Sequence, residues 1–208
     1  MSMHRSNDGF TIIELLVATA VFSTILLLIS VGIIQVGKMF YKGVTITATS
    51  ETARVILEDV SQAIQFNADS VEPVIAENGN SQGFCVGSRR YSYVLHRQLA
   101  NTPVDEQVSN ALVVDSVASC NSLTPAQDVI ADPEGRELLG LHMRLANLEV
   151  QPLSTEGLYS ISLTVIYGDD DLLVDRTGDG NLDSCETITG SEFCSVAELD
   201  TIVQKRIQ

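Results

Sequence analysis

The chain has 208 residues, with 27 Asp and Glu against 12 Lys and Arg, for a formal net charge of -15. This length allows one domain plus an anchor. The acidic balance repels phosphate backbones, which argues against general nucleic-acid binding, and it suits divalent cations.

Nine mostly polar residues ending in Gly9 precede an apolar run. From Phe10 to Ile34 the only charged side chain is Glu14. At ~1.5 Å per residue that run is ~37 Å long as a helix, more than the ~30 Å hydrocarbon core of a bilayer. Residues 1–9 therefore read as a leader and residues 10–40 as a membrane-spanning helix. A secretory signal peptide has a shorter apolar region, of ~7–15 residues, followed by a small-residue cleavage site. Here the run is too long, and Gly9 comes before it. Arg5 on the short flank places the N-terminus on the cytoplasmic side. A charge at membrane depth costs roughly 3 kcal/mol, so Glu14 reads as a carboxylate placed for a cationic partner. A freshly cut α-amine would supply one.

After Lys38 the pattern turns amphipathic. Ala53, Ile56, Leu57, Val60, Ala63 and Ile64 recur at helical spacing, with Glu51, Arg54, Glu58 and Asp59 on other faces. Residues 41–66 are expected to be a helix that packs on the chain's own strands. Gly43 and the threonine-rich stretch 45–49 lower helix propensity and predict a bend. Asn67 and Pro73 set the end of the helix near Phe66.

Residues 67–208 read as a β-rich head. Period-two alternation predicts strands around Tyr91, Tyr93 and Leu95, through Leu139, Leu141, Met143 and Leu145, and from Tyr159 to Tyr167. Residues 111–114 read as a short buried strand, and Thr201 to Ile207 as the last one. Loops are expected near 73–83, 101–110, 121–136 and 154–157. Together these elements give an α+β class, a long helix packed on an antiparallel sheet. Arg89-Arg90 with Arg97 is the one candidate basic patch and reads as a solvated strand edge.

Cys85, Cys120, Cys185 and Cys194 all follow the apolar segment, and an even number beyond a membrane favours disulfides. Of the three pairings, Cys85–Cys120 with Cys185–Cys194 is preferred because each closes a modest loop. His4, His96 and His142 do not cluster with cysteine, so zinc is not supported. His96 and His142 are expected to face solvent or cross-strand neighbours.

Residues 175–186 carry oxygen side chains at alternate positions, a glycine at the sixth, an apolar residue at the eighth and Glu at the twelfth. That is the spacing of an EF-hand calcium loop. Asp175, Thr177, Asp179, Asp183 and Glu186 offer side-chain oxygens, Asn181 offers a carbonyl, and Gly180 permits the tight turn. Thr177 stands where Asp or Asn is usual, and no helices flank the loop. The likeness is to the loop alone, as in dockerin-type repeats, and predicts a structural Ca2+ site. Asp169, Asp170 and Asp171 read as an exposed acidic strand end. No His-Glu-x-x-His, Gly-x-Ser-x-Gly or phosphate-binding glycine loop occurs, so an enzyme is not expected.

The stretch from Gly9 through Phe10, Thr11, Ile12, Ile13 and Glu14 to Ala18 resembles the cleavage and methylation motif of type IV pilins and type II secretion pseudopilins. The resemblance implies cutting after Gly9 by a membrane prepilin peptidase and N-methylation at Phe10. It also implies pairing of Glu14 with the terminal amine of a neighbouring subunit. Its implied partners are other pilin subunits, the peptidase/methyltransferase and an inner-membrane assembly platform. The implied location is the bacterial cytoplasmic membrane, single-pass with the head outside, and then an extracellular filament. Arg90-Tyr91-Ser92-Tyr93 with Leu99, and the closing stretch from Thr201 to Ile207, resemble the sheet of minor pilins and pseudopilins of the W and J type. The primary expectation is thus a minor structural subunit; the alternatives are a tip adhesin and, from another class, a membrane-anchored surface enzyme. Cleavage at Gly9 separates the first two from the third.

Overall fold

One unbroken helix, α1, runs from Ile12 to Phe66. Its first part, Glu14 and Gln35 apart, is apolar or hydroxyl-bearing on every face and exposed from Ile12 to Val36, the pattern of a helix meant for a non-aqueous surrounding. Its second part buries a single stripe of Thr45, Thr49, Ala53, Ile56, Val60, Ala63 and Ile64. The computed structural model describes residues 10–67, 69–75, 82–98, 111–118, 120, 135–153, 157–176, 178, 180–186 and 190–206. The chain divides into two units, Met1–Phe40 and Tyr41–Gln208.

Within the second unit, β1 (Val71–Ile75), β2 (Gln82–Val86), β3 (Arg89–Tyr93), β4 (Leu112–Ser116) and β5 (Arg136–Glu137) form an antiparallel meander in that order. β6 (Met143–Pro152) and β7 (Leu158–Tyr167) form a second antiparallel sheet with β10 (Ser195–Gln204), in the order β10-β7-β6. Two short strands, β8 (Leu173–Val174) and β9 (Ser184–Cys185), pair by themselves. The α+β class and the antiparallel pairing expected from the alternation are those of the structure.

The helix stripe seals both sheets into one core. Ile56, Val60 and Ile64 share an apolar cluster with Phe84, Tyr91 and Leu112 of the first sheet and Leu145, Ile161 and Leu163 of the second. Full burial of each such side chain stabilises by about 1.5–3 kcal/mol. The β2–β3 hairpin turns at Gly87, whose φ of 60° and close approach to the Asn67 side chain leave no room for a Cβ. Asn67 Nδ2 donates to the Val86 carbonyl at 3.1 Å, tying the end of α1 to that turn.

Several expectations need correction. Residues 71–75 and 82–86 are strands, not part of a loop at 73–83. Pro73 is tolerated there because β1 is an edge strand, where a missing N–H need not break a ladder. Arg136 belongs to β5 rather than to a loop, while residues 101–110 and 121–134 lie outside the described residues. β6 starts at Met143, because His142 takes φ 61° and a turn closes from Met143 N to the Gly140 carbonyl at 3.1 Å. Leu141 is consequently exposed and Leu139 buried. β10 starts at Ser195, six residues before the expected start at Thr201, because β7 offers a partner along its whole length, from Ser195↔Tyr167 to Gln204↔Leu158. The helix is continuous through Gly43 and residues 45–49.

Arg90 is no solvated edge. β3 lies in the middle of its sheet, and Arg90 and Asp115 form an ion pair with side chains only 8% and 5% exposed. Arg89 instead reaches Asp59 on α1 at 3.0 Å. Asp59 also accepts from the Tyr91 hydroxyl at 2.8 Å and from Arg136 at 3.4 Å. Burial, and then the Asp59 charge, raise the Tyr91 phenol above its ordinary range. Burial likewise pushes Tyr93 to about 12, and its hydroxyl donates to the Leu148 carbonyl at 2.9 Å. Glu137 is pushed up by burial, although amides of Leu139, Ala111 and Leu112 bind and stabilise its charged form.

Removing one partner of a buried ion pair strands the other charge in a low dielectric. Arg90→Ala is therefore expected to destabilise the second unit by about 3–5 kcal/mol. The double change Arg90→Met with Asp115→Leu should cost markedly less. Denaturant unfolding of the three proteins checks this ordering.

Candidate functional site

Three features of the sequence bear on function: the helix start, the helix turn at Lys42, and the acidic loop. At the first, Thr11 caps α1. The Glu14 Oε2 atom accepts from the Thr11 backbone amide at 3.0 Å and from its hydroxyl at 2.8 Å, while Glu14 N donates to Thr11 Oγ1 at 3.3 Å. This reciprocal capping box satisfies helix-start donors that otherwise lack partners. Both bonds to the carboxylate fall on one oxygen; among the described residues Oε1 has no partner. Phe10, immediately before the cap, is exposed, and Gly9 lies outside the described residues. The Thr-x-x-Glu spacing is visible in the sequence, and it signals a capping role that a reading of Glu14 as a buried charge alone leaves out.

From Leu15 to Gly37 the helix satisfies its own hydroxyls. Thr19, Ser23, Thr24 and Ser30 donate to carbonyls one turn back, those of Leu16, Thr19, Val21 and Leu26, at 2.8–3.0 Å. In hydrocarbon such groups find no water, so internal partners are what a spanning helix needs. The helix is long and apolar enough to cross a membrane.

One turn further, polar contacts hold α1 to the segment before β10. Lys42 Nζ donates to the Ser191 carbonyl at 2.8 Å and to the Cys194 carbonyl at 2.6 Å. Thr45 Oγ1 donates to the Glu192 carbonyl at 3.3 Å, Ser195 Oγ donates to the Thr45 carbonyl at 3.1 Å, and Thr49 bonds to Ser195. The partners lie 146–152 residues apart in sequence, so no local pattern announces them. The Tyr41 and Phe193 rings meet beside Lys42, 5.5 Å between centroids.

In the acidic loop, Asp175 organises the turn. Its Oδ1 accepts from Gly178 N at 2.6 Å and its Oδ2 from Gly180 N at 2.8 Å. Both glycines take left-handed backbone, φ 77° and 86°, a conformation open to glycine without strain. Asp183 Oδ1 accepts from Arg176 N at 3.0 Å. β8 and β9 close the base of the loop, and Leu182, at the apolar eighth position, packs on Ile166, Leu173 and Cys194. Glu186 N donates to the Leu172 carbonyl at 2.9 Å. Thr177 and Asp179 lie outside the described residues. Among the described residues no three His, Cys, Asp or Glu side chains converge on a metal position.

Asp169 and Asp170 are exposed but engaged. Asp169 accepts from Gln98 at 2.7 Å and meets His142 Nδ1 at 2.9 Å, and these two hydrogen bonds hold its carboxyl below the usual range. Asp170 accepts from Arg144 Nη2 at 2.6 Å. His96 and His142 both sit in turns with φ near 60°, and the His142 side chain is half exposed beside Asp169.

The structure joins Cys85 to Cys120 and Cys185 to Cys194, with Cα separations of 6.0 and 5.8 Å. The second bond links the end of the acidic loop to the residue whose carbonyl Lys42 grips. Residues 4–30 match the family model described as the prokaryotic N-terminal methylation motif. No curated protein and no solved structure matches the chain.

The two disulfides span 35 and 9 residues. Loop-closure entropy gives about 3.8 and about 2.6 kcal/mol respectively. Replacing Cys85 and Cys120 by serine should therefore lower stability by about 1 kcal/mol more than replacing Cys185 and Cys194. Equilibrium unfolding of both double variants tests that order.

Proposed function

We propose that this protein, type IV pilin-like by its N-terminal motif, is a minor structural subunit of a type IV pilus or a related type II secretion filament. In this reading it is cut after Gly9, methylated at Phe10 and assembled through α1. The carrying observation is the methylation motif at residues 4–30 leading directly into a capped, self-satisfied apolar helix. Such a motif indicates a structural protein rather than an enzyme. The span anchors the subunit in the cytoplasmic membrane, with the head outside, before assembly.

The open Oε1 of Glu14 supports its assigned role. Thr11 holds Oε2 and fixes the side chain at the helix start, and among the described residues Oε1 faces no competitor for a neighbour's new amine. A charged pair at membrane depth offsets the roughly 3 kcal/mol cost of a lone charge there and sets the register between subunits. The W/J-type minor assignment rests on the resemblance of residues 90–93 and 201–204, which fall in β3 and β10; Leu99 and Ile207 lie outside the described residues.

Mass spectrometry of the native protein should find a methylated Phe10 as the first residue. A protein that still begins at Met1 would refute processing. Glu14→Val should insert in the membrane as well as wild type yet fail to enter filaments, and normal incorporation would overturn the register argument.

The loop at 175–186 is proposed as a structural Ca2+ site of the head. Its support is the twelve-position ligand spacing together with the turn that Asp175 and two left-handed glycines already form. Asp175, Thr177, Asp179, Asn181, Asp183 and Glu186 would hold the ion, which would neutralise carboxylates that otherwise repel. Titration calorimetry on the purified protein should show calcium binding with a rise in melting temperature, abolished by Asp175→Ala with Glu186→Ala. Heat of binding that survives the double variant would sink this site.

A further inference from the structure

We propose that the open edge of β6 is a docking site for an extended segment of another protein, one that adds as a strand and sets an apolar residue next to a basic one. β6 is the last strand of its sheet. Its first residues are covered: His96 N donates to the Leu145 carbonyl at 2.8 Å, and Gln98 bridges to Arg144. From Asn147 to Pro152 no strand lies on its outer side among the described residues. A bulge between Leu145 and Asn147 separates the covered stretch from the open one.

The hairpin fixes the direction of the free backbone groups. Leu153 N donates to the Leu158 carbonyl at 2.9 Å, and backbone groups change sides from residue to residue along an antiparallel strand. Gln151 and Glu149 therefore bond towards β7, while the backbone groups of Leu148, Val150 and Pro152 point away from it. The Tyr93 hydroxyl agrees with this direction, donating to the Leu148 carbonyl from the first sheet at 2.9 Å. Val150 keeps an amide and a carbonyl on the open side, and Pro152 a carbonyl. The other edges carry features that deter strand pairing. Proline interrupts β1, and β5 has only two residues. α1 is bonded to β10 at Ser195 and, through Gln65, to Arg206 just beyond its end.

The open groups border a cleft of about 450 Å³ between the two sheets. Val71, Phe84, Tyr93 and Leu95 form one wall, and Leu148 and Val150 the other. Exposed Glu149 is the only charged residue lining it among the described residues. A strand laid on β6 puts the side chain opposite Val150 on the same face as Val150, which is the face packed on the apolar core. The next side chain falls on the other face, beside Glu149, where a lysine or arginine finds its counter-charge. That alternation defines the occupant: main-chain bonds at Val150 and Pro152 supply affinity, and the two side-chain positions supply specificity. A second copy of this chain is disfavoured, because each carries a formal net charge of -15.

The full-length protein in detergent micelles is tested against an array of short acetylated peptides in which valine or leucine alternates with lysine or arginine. Control peptides carry glutamate at the basic positions or serine at the apolar ones. The basic–apolar peptides should bind, neither control should, and bound peptide should slow hydrogen exchange of the Val150 amide. Val150→Pro removes that N–H at an edge position where no ladder bond is lost, and should weaken binding about tenfold. Glu149→Lys should shift the preference to the glutamate peptides. Binding that survives Val150→Pro, or that leaves Val150 exchange unchanged, would place the peptide elsewhere and overturn the proposal. Equal binding of the serine controls would reduce the effect to charge attraction, and no binding across the array would remove the site; either result overturns it. Self-association lost in Val150→Pro, without peptide binding, would assign the edge to a second copy and overturn the stated occupant. Should Val150→Pro fail to fold, as read by circular dichroism, Val150 amide exchange in the wild type and the peptide preference of Glu149→Lys carry the same outcomes.

Discussion

The Lys42 ammonium bonded to the Ser191 and Cys194 carbonyls marks the point where one continuous helix stops answering to one surrounding and starts answering to another. Before it the side chains are apolar on every face, Glu14, Gln35 and Lys38 apart, and the hydroxyls of Thr19, Ser23, Thr24 and Ser30 fold back on the helix. After it only one stripe is apolar, and that stripe is buried in protein. At such a change of surroundings, hydrophobic burial alone does not fix how the helix turns. Directed hydrogen bonds from Lys42, Thr45 and Thr49 do this, because they orient the segment as well as hold it.

The second unit shows the same division of labour. Area burial by Ile56, Val60 and Ile64 supplies the bulk of cohesion, but it does not by itself choose one arrangement of two sheets around a helix. Asp59, meeting Arg89, Arg136 and Tyr91, selects the rotation of α1 against the first sheet. His96 N to the Leu145 carbonyl, at 2.8 Å, and the bridge between Gln98 and Arg144 join the first sheet's continuation to the second.

Glu14 caps its own helix, and the role proposed for it in assembly would draw on the same chemistry. As a cap it stabilises the helix start through Thr11; in the proposed assembly its second oxygen would meet a neighbour's amine. One oxygen for each would keep the two compatible, since a side chain already ordered by its own helix loses less entropy when a neighbour arrives. The acidic loop applies a comparable logic, with Asp175 ordering the turn before any ion is considered.

Local chemistry makes much of this legible. An apolar run with one acid near its start, the buried stripe from Ala53 to Ile64, the clean alternation from Tyr159 to Tyr167 and the ligand spacing from Asp175 to Glu186 are patterns of neighbours, and a sequence is a record of neighbours. β1 and β2 are hidden from such a reading because Pro73 and Gly83 are loop-formers in isolation; pairing with each other and with β3 outweighs them. Arg90 reads as an edge residue because nothing nearby in the chain signals Asp115 across the ladder. The sequence by itself determined the helix, its two surroundings and the motif at its head. Only the tertiary structure decided which polar groups are buried in pairs, where Lys42 bonds and that Phe193 meets Tyr41, since each of those depends on residues distant in the chain being brought within hydrogen-bond or ring-contact distance by packing.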